Sequence, residues 1–79
     1  MALLEWHSYT EAQARERARV LEHLMKERLL TAEEERAAKR LLRQLRARPV
    51  DGEVQVYAGS GAEELLQRLE ESLWESRKK

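Results

Sequence analysis

Residues 53–61 read EVQVYAGSG, and the chain passes from them directly into AEELLQRLEESLW (62–74). Val54, Val56 and Ala58 alternate with Glu53, Gln55 and Tyr57, the period-two pattern of a strand with one buried face. The turn-like Pro49-Val50-Asp51-Gly52 leads into it, and Gly59-Ser60-Gly61 stops it. A lone strand leaves its backbone N–H and C=O groups without partners, so this run demands a second strand. Within the chain the candidate is Leu3 to Tyr9, where Leu4, Trp6 and Ser8 alternate with Leu3, Glu5, His7 and Tyr9. Its pattern is noisier, and it decides between the orders β-α-α-β-α and α-α-β-α.

Three helices surround the strands. Ser8 with Glu11, or Thr10 with Gln13, has capping-box spacing, as do Thr31 with Glu34 and Ser60 with Glu63. The first helix is expected over about 11–29, with Ala14, Ala18, Leu21, Leu24 and Met25 on its apolar stripe. The second is expected over about 32–47, burying Ala38, Leu41, Leu42 and Leu45. Pro49 ends it by restricting Arg48. The third, about 62–77, carries Ala62, Leu65, Leu66, Leu69 and Leu73 on one face, with Trp74 at its edge. The connection near Leu30-Thr31 is short enough to make helices one and two an antiparallel αα-hairpin. The fold class is therefore α+β, mostly helical: a helical hairpin, one or two short strands and a C-terminal amphipathic helix. Residues 1–79 form one small domain.

The stretch LEHLMKERLLTAEEERAAKRLL (21–42) resembles the short helical hairpin of the SHOCT family. Leu21, Leu24, Leu30, Thr31, Glu33, Glu34, Lys39, Leu41 and Leu42 carry the resemblance. Arg28 stands where that family has a turn glycine, and Glu35 where it has an aromatic. The match covers about a quarter of the chain. Members carry the hairpin as an oligomerisation or interaction appendage, so the resemblance implies association with a partner or a second copy.

A chain of 79 residues buries only about 60–65% of its unfolded surface and is marginal without added support. With no cysteine, disulfides and thiolate metal sites are excluded, which leaves self-association or regular helix packing. No apolar run reaches the ~18 residues of a membrane span, nothing at the N-terminus resembles a signal peptide, and the cytoplasm is the expected compartment. Fifteen basic and fifteen acidic residues cancel, so global charge does not argue for nucleic acid. Dense Arg and Glu without Asn or Cys is a thermophile-like composition.

Four features carry candidate chemistry. Gly59-Ser60-Gly61 before a helix has the layout of a phosphate loop, but Ala62-Glu63-Glu64 follows with no lysine and two carboxylates that complement the helix dipole. A structural cap is the better reading. Ala58-Gly59-Ser60-Gly61-Ala62 also imitates a nucleophile elbow, which needs a base and a large α/β sheet that this length does not supply. His23 with Glu27, and His7 with Glu5, have ligand-pair spacing that nothing in the sequence brings together. No catalytic residue, metal ligand or cofactor is expected.

The fourth feature is charge. Arg36, Lys39, Arg40, Arg43 and Arg46 form a basic surface on the second helix, which has no acid between Arg36 and Arg48. It suits nucleic-acid phosphates or acids within the protein or its symmetry mate, and Glu63, Glu64, Glu70, Glu71 and Glu75 of the third helix make the internal reading the stronger one. Trp6, Val54, Val56, Tyr57 and Trp74 are candidate interface residues, although a tryptophan more often anchors a core. The expected function is a non-catalytic protein–protein interaction or structural module. It would act as a homodimer or with an unidentified protein partner, with nucleic-acid binding or regulation through the basic helix as the alternative.

Overall fold

A computed structural model of the chain describes residues 6–57, 59 and 62–77. The order is β1 (Trp6–Thr10), α1 (Glu11–Lys26), α2 (Ala32–Leu45), β2 (Glu53–Tyr57) and α3 (Ala62–Arg77), a mostly helical α+β fold of the β-α-α-β-α type. The first strand therefore exists. It runs one residue past Tyr9 to Thr10, while Leu3, Leu4, Glu5 and Ala58 lie outside the described residues.

β1 and β2 pair antiparallel, with Trp6 opposite Tyr57, Ser8 opposite Gln55 and Thr10 opposite Glu53. Val54 and Val56 point inward, as their alternation requires, and Tyr9 joins them in the core. The turn into β2 is a two-residue hairpin turn: Val50 and Glu53 exchange backbone hydrogen bonds of 2.8 and 3.0 Å, and Asp51 (φ 54°) and Gly52 (φ 78°) are both left-handed. That is the backbone a type I′ turn demands and Asp-Gly favours.

The helices meet over one core. Leu21, Leu41, Leu65 and Leu69 are buried at its centre with Val56, and Ala14, Ala18, Ala37 and Ala38 let the helices approach each other. Thr10 and Gln13 close the first capping box and Thr31 and Glu34 the second. The third proposed box includes Ser60, which lies outside the described residues.

Two helix ends depart from the sequence expectation. α1 stops at Lys26 rather than Leu29 because the chain turns into a left-handed cap. Arg28 has φ 56°, its N–H donates to the Met25 carbonyl at 3.2 Å, and the Leu29 N–H donates to the Leu24 carbonyl at 3.0 Å. This is the Schellman arrangement, in which a glycine is preferred at the position Arg28 occupies. α2 stops at Leu45 rather than Ala47, with Arg46 donating back to Leu42 at 3.1 Å.

An L-residue held in the left-handed region costs about 1 kcal/mol. Arg28→Gly should therefore raise the free energy of unfolding by about 1 kcal/mol, read as a higher urea midpoint at constant slope. An unchanged or lower midpoint would contradict the cap geometry.

Candidate interaction surface

Both tryptophans stand in solvent: Trp6 is 56% exposed and Trp74 62%. Neither anchors the core, contrary to the usual habit of the residue, and the core aromatic is Tyr9. Val54 and Val56 are also corrected as interface candidates, because both are buried within the chain's own core. Trp6, Tyr57 and Trp74 remain as exposed candidates, and the register places Trp6 and Tyr57 side by side on the outer face of the ribbon. Their ring centroids lie 5.3 Å apart with planes inclined at 54°. Ser8, Glu53 and Gln55 continue that face: the Ser8 hydroxyl donates to the Glu53 carboxylate and accepts from Gln55 Nε2 at 3.2 Å.

The two edges of the ribbon are capped to different degrees, the β2 edge at both of its ends. Gln44 of α2 accepts from the Tyr57 N–H at 2.7 Å and donates to the Tyr57 carbonyl at 3.4 Å. Glu53 exchanges its outward groups with Val50. Antiparallel pairing alternates inward and outward backbone groups, so opposite Tyr57 and Gln55 the groups of Trp6 and Ser8 point away from β2. At Thr10 the N–H is taken up by Gln13 at 3.0 Å. Trp6 and Ser8 have no strand beside them among the described residues.

Of the basic residues along α2 and its C-cap, only the C-cap Arg46 has an ion-pair partner among the described residues, and that partner is Glu22 of α1. Arg36, Lys39, Arg40 and Arg43 are exposed with no ion pair among the described residues. The acids of α3 do not cover them as the charge count suggested. Glu70 pairs with Arg17 of α1 instead. The cross-contact between α3 and the hairpin runs the other way: Arg68 donates to the Leu29 carbonyl and to Glu34 Oε1, both at 3.0 Å. Arg40 lies one helical turn before Gln44 on the same ridge, which sets the basic face beside the aromatic pair. Sequence reading found the stripe and the aromatics separately. The residue that joins them, Gln44, carries no local signal because its partner is backbone thirteen residues away.

Behind the ribbon is a polar cleft lined by His7, Tyr9, Arg17, Glu63, Leu66, Gln67 and Glu70. Arg17 is only 9% exposed. Its Nε and Nη2 donate to the two Glu70 oxygens, each at 2.7 Å, and Nη1 donates to the Gln13 carbonyl at 3.3 Å. The guanidinium carbon lies 4.4 Å from the Tyr9 ring centroid, a cation–π contact. Burial alone would lower the Arg17 pKa, but the hydrogen bonds and charge of Glu70 hold it above its usual value. Burial raises the Tyr9 phenol above 10.0; the Arg17 charge opposes the shift and Glu70 reinforces it. Arg17 was visible in sequence only as a charge inside the Ala14–Leu21 stripe.

His7 stacks near Tyr9 at 6.2 Å, and its Nε2 is buried without a hydrogen-bond partner among the described residues. His23 and Glu27 are both exposed, the intended partner Glu5 of His7 lies outside the described residues, and no three metal-ligating side chains converge among the described residues. Gly59 serves a purpose the sequence did not reveal. A Cβ there would sit 2.8 Å from Tyr57 Cε2, so glycine makes room for the ring. Its carbonyl also accepts from the Ala62 N–H at 3.1 Å at the start of α3. No protein-family model, no curated protein and no solved structure matches the chain.

Two outcomes follow from the cleft. Removing the Glu70 carboxylate leaves Arg17 buried and uncompensated, whereas replacing Arg17 with an apolar chain removes the charge as well. Glu70→Ala should cost about 2 kcal/mol of stability, discounted for the half-exposed carboxylate, and Arg17→Met about half as much, as read by urea unfolding. The Tyr9 phenol holds its proton more tightly in the folded chain than in the unfolded one. Its contribution is intact below pH 10.0 and is lost as pH rises from there through the folded value. Tyr9→Phe should flatten the decline in unfolding free energy above that pH.

Proposed function

We propose that the chain is a small non-catalytic interaction module that associates with a second copy of itself along β1. The observation that carries this reading is the asymmetry of the ribbon. The β2 edge is occupied at both ends, by Gln44 at Tyr57 and Val50 at Glu53, leaving only Gln55 between them, whereas Trp6 and Ser8 present outward backbone groups on β1. Exposed edges invite pairing, and two strands are barely stable alone. Antiparallel pairing of β1 with its copy about a two-fold axis near Ser8 would make a four-stranded sheet whose outer strands are capped at their ends by Gln44 and Val50.

No helix among the described residues is long and apolar enough to cross a membrane, and we place the module in the cytoplasm. The internal ion pairs support a scaffold role over catalysis: Arg17, the buried charged group among the described residues, is held by a bidentate pair rather than turned toward a substrate.

Light scattering at about micromolar concentration should give about 18.6 kDa, twice the 9.3 kDa of one chain. Ser8→Pro removes the central outward N–H and keeps the backbone ladder to β2, losing only the hydroxyl's side-chain bonds to Glu53 and Gln55. It should leave the far-ultraviolet circular dichroism unchanged and halve the mass. A clean wild-type monomer at that concentration would overturn the proposal.

A further inference from the structure

The outer ribbon face and the exposed face of α2 form one continuous surface. Its parts follow in order: the Trp6–Tyr57 ring pair, Gln44 bonded to the Tyr57 backbone, Arg40 one turn earlier on the same ridge, and Arg36, Lys39 and Arg43 around it. Two features of this surface need a common explanation. The four cations have no ion-pair partner among the described residues, in a chain whose total charge is zero and which has acids available on α3. The two aromatic rings are inclined to each other and substantially exposed, at 56% and 39%, so neither hides the other from an incoming flat group.

We infer that this surface binds single-stranded nucleic acid, with phosphates along Arg36, Lys39, Arg40 and Arg43 and an unstacked base against Trp6 and Tyr57. An unpaired strand supplies a chain of negative charges and flat apolar faces at the same time, and proteins that track it combine a basic groove with aromatic platforms. An acidic helix would answer the charges and leave the rings uncovered. A duplex keeps its bases stacked inside and would meet Glu33 and Glu35, which are exposed in the first turn of α2 where a groove-entering helix makes its closest approach. Trp6 belongs to β1: its ring stands on the outer face of the ribbon beside Tyr57, whereas pairing of β1 with a copy would use the backbone groups at the strand's edge.

The test is fluorescence anisotropy with labelled oligo-dT and oligo-U of about 12 nucleotides and a duplex of equal length, in low salt. Either single strand should bind with a dissociation constant in the range of about 1–100 µM, at least about tenfold tighter than the duplex, with a log–log salt slope near −2 to −3. Trp6→Ala should weaken binding about tenfold. Arg40→Glu combined with Arg43→Glu should abolish it, with circular dichroism and melting showing both variants folded. Trp74→Phe leaves Trp6 as the sole tryptophan reporter, whose fluorescence should quench on binding. No binding to either strand, duplex binding as tight as single-strand binding, or full affinity in the folded double-arginine variant would each overturn the assignment.

Discussion

The Arg17–Glu70 pair is the constraint around which the small core is organised. One guanidinium touches three elements: it stands over Tyr9 of β1, springs from α1 and grips α3 through both carboxylate oxygens. The leucines of α1 and α3 would pack in several rotational settings at similar cost, since apolar burial is non-directional. A planar fork is directional. It fixes the rotation of α3 about its axis, and with it which side of α3 faces the hairpin. Arg68, two residues before Glu70, then falls within reach of the Leu29 carbonyl and Glu34 and ties α3 to the hairpin at its turn.

Element identity was legible because it rests on local pattern. The alternation at 53–57, the Thr10 and Thr31 caps and the leucine periodicity of α3 each act within a few residues. Helix ends were less legible. Arg28 adopts the backbone of a glycine without being one, so the chain turns where its composition says it should continue. The habit of tryptophan to anchor a core misleads for a related reason: residue type predicts burial on average, while strand register places Trp6 on the outer face beside Tyr57. Long-range polar pairs were the least legible. The acids of α3 looked like partners for α2, yet Glu70 reaches α1, because helix rotation and not proximity in charge count selects the partner.

Net neutrality therefore conceals a division of labour among charges. Arg17, Arg46 and Arg68 are consumed in holding elements together, while Arg36, Lys39, Arg40 and Arg43 are left outward. A sum over the sequence cannot distinguish the two groups. Only the fold separates cations that hold elements together from cations that face the surroundings.

The short segment EVQVYAGSG ends with a missing atom. Because a β-carbon at position 59 would collide with the Tyr57 ring, the empty space at Gly59 belongs to the aromatic surface as much as to the turn. The same residue lends its carbonyl to the first turn of α3. The entry angle of the last helix and the tilt of a surface ring are thus geared to one backbone position. Divergence of this chain would be expected to change residues 57 and 59 together, a large ring with glycine or a smaller side chain with something bulkier, rather than either alone.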